Sequence, residues 1–291
     1  ITEYYKQKKW IADDVSEVVP VNTPLYSGIR ITRKYRNSEI RQFIRLYPGS
    51  ARLDFITEID WFEDHVLLKA AFPFDIHTSS AKYEIQFGHV ERPTHRNTSW
   101  DQAKFEVCAH KWADLSEADY GIALLNDCKY GYSCEENILK LSLLKAPTYP
   151  NPTADRTHHS FTYSVYPHAG ALSQSDTVKQ AYLLNNPFYA VKVMKNSGGT
   201  LPERFCPVHS DTPSAVIDTV KPAEDGNGII IRMYDSANRK SHPVLDFGFP
   251  AAKAYLCDML ENNLNELELD GEKLSVSLSN FEVKTIRLIP S

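Results

Sequence analysis

A chain of 291 residues is long enough to bury a large core, in one domain or in two. Hydrophobic residues make up 42% and charged residues 24%, an ordinary globular balance, and a formal charge of −5 supplies no general basic field for nucleic acid or an anionic membrane surface. No apolar run approaches the roughly 20 residues that span a bilayer, and no secretory signal opens the chain; five cysteines, Cys108, Cys128, Cys134, Cys206 and Cys257, cannot all pair, which favours reduced thiols and a cytoplasmic setting.

Residues 1–24 have few periodic apolar positions and read as a ragged lead-in. Alternation then begins. Ile29, Ile31 and Tyr35, then Ile40, Ile44 and Leu46, then Leu53, Phe55, Ile59 and Trp61 mark three strands of an antiparallel meander, with turns at Asn37-Ser38 and Tyr47–Ser50. Arg30, Arg33, Lys34, Arg36, Arg41 and Arg45 make these strands locally basic and are expected to line a solvated face. The more continuous apolar run from Val66 to Phe72 predicts a strand covered on both faces, with Pro73 limiting further pairing.

The most informative stretch is Lys82 to Trp112. Tyr83, Ile85 and Phe87 alternate with polar residues before it, and Phe105, Val107 and Ala109 after it, so two strands are predicted around a polar loop from His89 to Asp101. Arg92 and Arg96 offer planar donor forks for carboxylates, and Trp100 an apolar face for a sugar ring or a neighbouring surface. The plainer reading is a long connection whose polar groups satisfy one another and water.

Trp112 to Tyr120 reads as a connection, Gly121–Leu125 and Asn137–Leu144 as buried strands, and Asn126–Gly131 as a tight polar turn. Pro147, Pro150 and Pro152 stiffen a loop before the strand begun by Phe161, Tyr163 and Val165. Thr177–Leu184 fits a short helix with Val178, Ala181 and Tyr182 on one face and Ser175 or Asp176 as cap. Asn196–Thr200 interrupts the pattern and places a domain boundary near 190–205. Beyond it, Ala215–Val220 and Ile229–Tyr234 flank the turn Asp225-Gly226-Asn227-Gly228, and Leu274–Leu278 with Phe281–Leu288 read as a last hairpin through Ser279-Asn280.

The ordered runs EIQFGHVERPTHRNTSWD, FEVCAHKWADLSEADYGIALLNDCKYGY (Phe105–Tyr132), DWFEDHVLLKAAFP (Asp60–Pro73), FTYSVYPHAG (Phe161–Gly170), KPAEDGNG (Lys221–Gly228) and FEVKTIRL (Phe281–Leu288) resemble the C-terminal β region of family 38 glycoside hydrolases, the α-mannosidases of bacterial and cytosolic or vacuolar type. The resemblance implies an all-β fold: a large antiparallel super-sandwich like that of galactose mutarotase over residues 1–195, then a small C-terminal β-sandwich over 196–291. For Ala251–Leu269 it implies strands, whereas Leu256, Met259, Leu260, Leu264 and Leu267 are spaced for a helix. The family's metal site, nucleophile and acid/base carboxylate lie in an N-terminal catalytic domain that no stretch here matches. The chain is therefore expected to be a fragment without glycosidase activity of its own, and the divalent metal, zinc by resemblance, to sit in that other domain rather than here.

What the resemblance implies for this chain is support. It would pack on its own N-terminal catalytic domain and complete a retaining site that cleaves terminal α-mannose from small oligosaccharides. Arg92, with Arg96 as rival, matches an arginine that helps hold the nucleophile; His95, Asn97, Trp100 and Asp101 would shape that site or the domain interface, and Asn126, Asp127 and Tyr130 form a second polar cluster. An Asx-stabilised turn is the plainer reading of the second cluster, and Glu91 and Asp101 are expected to pair with Arg92, Arg96 or backbone amides rather than to act as a glycosidase pair. His89, His95, His110, His158, His159 and His168 show no ligand spacing for a metal, and most of the cysteines are expected to be buried small hydrophobes. Two other classes stay open. A freestanding carbohydrate-binding module needs an exposed aromatic platform, and a mutarotase-like sugar enzyme needs a His and a carboxylate converging in a concave face. A homo-oligomer is compatible with the sequence; nucleic acid and membrane are not expected partners.

Overall fold

Antiparallel pairing dominates from the first described strands. The computed structural model describes residues 11–193, 198–199 and 202–291. These form two compact units, one comprising the chain up to Ile85 together with Val90–Pro187, the other Gln86–His89 with Phe188–Ser291. The break thus falls at Pro187; of the boundary segment read from the sequence, residues 194–197, 200 and 201 lie outside the described residues, as do residues 1–10.

In the first unit, β1 (Asp14–Asn22), β2 (Ser27–Tyr35), β3 (Ser38–Leu46) and β4 (Leu53–Asp60) form the expected meander, extended by one strand at the front. The lead-in is thus not ragged over residues 14–22: β1 pairs with β2 across its length, though almost all of it is exposed, which is why no apolar period marks it. Glu63, 6% exposed, braces the β2–β3 turn by accepting from the Asn37 amide at 2.9 Å and the Ser38 hydroxyl at 3.0 Å. After β5 (Leu68–Pro73) come β6 (Ser80–Ile85), β7 (Gly88–Pro93), the short helix α1 (Ser99–Ala103), β8 (Val107–Cys108), β9 (Trp112–Ser116), β10 (Tyr120–Asn126), β11 (Gly131–Glu135), β12 (Ile138–Leu144), β13 (His158–Ala169) and α2 (Thr177–Asn185). A nine-stranded sheet runs β1-β2-β3-β4-β13-β10-β9-β6-β7 and a four-stranded sheet β5-β12-β11-β8.

The core lies where alternating residues of both sheets meet. Ile40, Ile59, Trp61, Tyr83, Leu124 and Tyr163 of the larger sheet and its flanks pack in one cluster with Tyr132, Leu139 and Leu141 of the smaller. β10 is covered twice: Ile122 and Leu124 face that cluster, while Ala123 and Leu125 face Trp112, Leu172 and Ala181 of α2, which explains its unbroken apolar run. Each such leucine contributes about 1.5–3 kcal/mol by leaving water.

Several expectations are corrected. β5 is an edge strand paired only with β12, half-buried rather than covered on both faces. The loop expected from His89 to Asp101 is mostly ordered: the chain turns at Gln86-Phe87, with Phe87 at φ 56°, and residues 88–93 already belong to β7. Of its remainder, Ser99–Ala103 is helical because Thr98 and Asp101 close a reciprocal capping box. The second flanking strand shrinks to Val107–Cys108, and Trp112–Ser116, read as a connection, is β9.

The second unit holds a three-stranded sheet, β14 (Val208–Ser210), β17 (Val244–Phe247), β20 (Lys273–Ser275), and a five-stranded sheet in the order β15 (Ala215–Pro222), β16 (Ile229–Asp235), β21 (Val283–Pro290), β18 (Ala251–Cys257), β19 (Asn263–Leu267). Residues 251–269 are therefore strand, turn and strand; Leu260 is 83% exposed on the turn, so the helical spacing there reports no buried face. The hairpin expected through Ser279-Asn280 does not form, since β20 pairs with β17 and β21 lies between β16 and β18. The β15–β16 hairpin does form, and Gly228, at φ 98°, admits no side chain because a Cβ would stand 2.3 Å from the Leu288 carbonyl oxygen.

Acid should loosen this unit. Asp225, Asp258 and Glu261 are all held below their ordinary values of 3.8, 3.8 and 4.5, Asp225 by the Asn227 amide and then Arg287, Asp258 by Asn262, and Glu261 by Lys221 and then the Glu224 amide. Unfolding raises those affinities for protons, so the stabilisation is complete above the ordinary values and is lost as pH falls through the depressed ones. The urea midpoint of the second unit is expected to fall steadily below about pH 4.5, less steeply in Glu261→Gln. A midpoint constant down to about pH 3 would contradict this.

Candidate functional site

The polar turn after β10 carries the chain from the nine-stranded to the four-stranded sheet and roofs a cavity of about 410 Å³ lined by Cys108, His110, Lys111, Asn126, Asp127, Tyr130 and Asn185. Asn126, 1% exposed, is its keystone. Its side-chain amide donates to the His110 carbonyl at 2.8 Å and the Tyr132 hydroxyl at 2.5 Å, its Oδ1 accepts from the Lys129 amide at 2.5 Å, and its own carbonyl accepts from Asn185 at the end of α2 at 2.9 Å. Asp127 bonds β13 twice: its amide donates to the Thr162 carbonyl at 3.1 Å and its Oδ2 accepts from the Thr162 amide at 2.9 Å, while Oδ1 is buried with no hydrogen-bond partner.

The rest of the rim is set by charge and aromatic contacts. Lys111 pairs through Nζ with Glu84 at 2.8 Å and lies 4.7 Å from the centre of the Tyr182 ring. Burial pushes the Glu84 carboxyl up, against the opposing pull of Lys111. Tyr130 is 58% exposed and meets His110 edge-on at 5.7 Å. Lys129 folds back 4.4 Å over Phe161. Partial burial, and then the Asp127 carboxylate beside it, push the Cys128 thiol up to about 11, so little of it is thiolate at neutral pH. Such a rim can hydrogen-bond hydroxyls through Lys111 and His110 and lay Tyr130 against an apolar sugar face, while Asp127, with its carboxylate turned inward, holds the turn in place.

The residues expected around β7 do not gather into one site. Arg92 lies with its guanidinium 4.9 Å from the centre of the Tyr83 ring, and its Nη1 is buried without a hydrogen-bond partner. Arg96 reaches Glu135 at 3.5 Å, and His95 approaches Asp101 at 3.7 Å. Asp101 is committed to its cap, where bonds from Thr98 lower its pKa, and Asn97 and Trp100 are exposed, the latter at 78%. Glu91 accepts from the Ser80 hydroxyl at 3.4 Å and faces Lys82 at 3.9 Å, so it takes neither arginine, whereas Asp101 accepts from the Thr98 backbone amide at 3.2 Å, as one of its expected partners. No hydrogen bond or ion pair described for Arg92–Asp101 reaches Asn126, Asp127 or Tyr130.

Lys111, Glu84 and Asn185 were not singled out in the sequence as site residues, because they come from three separate segments. Their only local signal is polarity beside apolar positions. The cysteines are less buried than expected: Cys108, Cys128 and Cys206 are exposed, Cys134 half-buried and only Cys257 buried, all with free thiols. Two histidines converge on carboxylates at 2.8 Å: His168 Nε2 on Asp114, with side chains 3% and 0% exposed and sealed from any substrate, and His158 Nδ1 on Asp60, with side chains 53% and 35% exposed. Among the described residues no cluster of three or more His, Cys, Asp or Glu could hold a metal ion, and no helix is long and apolar enough to cross a membrane.

Two layered antiparallel units with a polar cavity at one sheet-to-sheet turn define an all-β chain of the sandwich class. Residues 1–153 match the glycosyl hydrolases family 38 C-terminal domain, and residues 214–286 the family 38 C-terminal beta sandwich domain; the chain belongs to this family, as part of its C-terminal β region. It is 41% identical over 258 residues to α-mannosidase G of Dictyostelium discoideum and, over the same length, to human α-mannosidase 2C1, in each case 87% of this chain and 24% of the relative. It thus spans about a quarter of the length of these relatives. The crystal structure of an α-mannosidase from Enterococcus faecalis V583 shares the fold, with a TM-score of 0.79 at 18% identity over 94% of this chain and 35% of that one.

Proposed function

We propose that this chain is the non-catalytic C-terminal region of an α-mannosidase, which packs on the metal-dependent catalytic domain and completes its site for terminal α-mannose. The carrying observation is the cavity of about 410 Å³ rimmed by Lys111, Asp127 and Tyr130. The nucleophile, the acid/base carboxylate and the metal belong to the catalytic domain in this reading. The metal would there polarise and orient the sugar, and this chain's part is to hold the substrate side. Lys111 would hold hydroxyls, Tyr130 would close over the ring, and Asp127, bonded to β13, would position the turn that carries Tyr130. Arg92, whose fork is turned onto Tyr83, takes second place to this cluster. The parent enzyme would act on small α-mannoside oligosaccharides in the cytoplasm, consistent with five unpaired thiols.

The test is aryl α-mannoside hydrolysis by the full-length enzyme carrying this chain. Tyr130→Ala, a change at an exposed side chain, is expected to raise KM, and Asp127→Asn to lower kcat, each by about tenfold, with folding intact. Unchanged kinetics in both would overturn the assignment of the cavity. Saturable binding of methyl α-mannoside by the 291-residue chain alone would favour the freestanding binding module instead.

A further inference from the structure

The core of the first unit stops short of its own sheet. In the β1–β2–β3 ribbon, residues facing each other across the register share a side: Val18 with Ile31, Pro20 with Ile29, Ile29 with Ile44, and Ser27 with Leu46. That side is the one on which Ile40 and Ile59 meet the four-stranded sheet further along. Yet the cluster under that sheet takes in nothing of β1 and, from β2, only Tyr35. Val15, Val18, Ile29 and Leu46 are left 45%, 57%, 43% and 43% exposed, an apolar face continuous with a core and without a lid among the described residues.

The opposite side of the ribbon carries its paired charges, beside Val19 at 39% exposure. Arg41 there pairs with Glu39 and Asp60 at 2.5 and 2.7 Å, and Arg45 stacks 4.8 Å from the centre of the Tyr47 ring. On the apolar side the one guanidinium, of Arg33, is occupied by Gln42 at 2.7 Å. A face that is apolar at its centre, with its one guanidinium held by a neighbouring amide side chain, has the character of a permanent interface rather than a transient one.

We infer that this overhanging face of β1–β3 is where the remaining, larger part of the α-mannosidase polypeptide docks, supplying the missing lid of the sheet. The occupant follows from length, since the relatives run to about four times the matched segment, with 24% of each covered. The inference rests on the proposed function above and names its docking surface.

Two adjacent residues separate the faces. In the full-length protein, Val18→Lys is expected to split a single heat-unfolding transition into two and to lower mannosidase activity by about tenfold or more, while Val19→Lys, on the solvated side, changes neither. Should Val18→Lys fail to fold, cysteine substitution reads the same surface gently. Val18→Cys should react with a thiol reagent about tenfold more slowly than Val19→Cys, followed by mass spectrometry of the labelled peptide. Equal behaviour of the two sites overturns the docking surface, even if Asp127→Asn lowers kcat. A Val18→Lys protein that keeps its activity and single transition but falls from an oligomer to a monomer assigns the face to a second copy and also overturns it. Separated transitions with unaltered Asp127→Asn kinetics leave docking standing and sink only the cavity's role.

Discussion

Truncation of Asn126 to alanine is expected to cost the first unit about 3 kcal/mol, a more than hundredfold fall in the ratio of folded to unfolded protein. Three buried or half-buried partners are orphaned at once: the His110 carbonyl, the Lys129 amide and the Tyr132 hydroxyl. The last matters most, because Tyr132 is fully buried and its remaining contact, to the Leu124 carbonyl, is long at 3.5 Å. Each lost bond is worth about 1 kcal/mol net, and a stranded buried hydroxyl costs more than that. Removing it in Asn126→Ala/Tyr132→Phe should therefore recover part of the loss, which a smaller net cost of the double change than of the single would show. Urea midpoints at constant slope are the measurement, and a shift below about 0.5 kcal/mol would sink the keystone role. The cavity should suffer in step, since the turn that aims Asp127 and Tyr130 is tied down by the same amide.

Arg287→Ala should be of similar size in the second unit, about 3 kcal/mol. The guanidinium, 4% exposed, bonds both Asp225 oxygens at 2.8 and 2.7 Å, the Asn227 carbonyl at 2.8 Å and the Glu261 carbonyl at 2.8 Å. It thereby fastens the β15–β16 turn to the β18–β19 turn. Asp225 itself is 57% exposed, so Asp225→Ala should shift the urea midpoint far less than Arg287→Ala. Lysine at 287 keeps a charge without the planar fork and should rescue little. Equal effects of Arg287→Ala and Asp225→Ala would show that the ion pair, and not the bracing of two turns, is what counts.

Where one face of a strand is buried and the other wet, the sequence announced it. β2, β3 and β4 appear as alternation, and β10 as a continuous run because a sheet covers one side and α2 the other. β9 was missed for a physical reason: Asp114 inside it is 1% exposed and lies 2.8 Å from His168 Nε2, so a buried polar pair stands where apolar residues would have marked a strand. The β6–β7 turn was missed because Phe87 occupies a left-handed conformation without glycine to flag it. Of the candidate site, Asn126, Asp127 and Tyr130 were legible as a dense polar turn. Lys111 and Asn185 were not, since only the folded sheet brings residues from β9's edge and α2's end to that turn.

The pairing of β4 with β13 sets the timing of synthesis. Asp60 lies opposite His158 and Leu53 opposite Val165, partners about a hundred residues apart in the chain. A ribosome adding about 5–20 residues per second needs roughly 5–20 s to deliver β13 after β4 has emerged. During that interval the local meander can already have formed, with the inner edge of β4 presenting unpaired amides and carbonyls to any passing strand. The two seams of the central strand β13, with β4 and with β10, are thus the last to close, and nascent chains are most vulnerable to aggregation while they stay open.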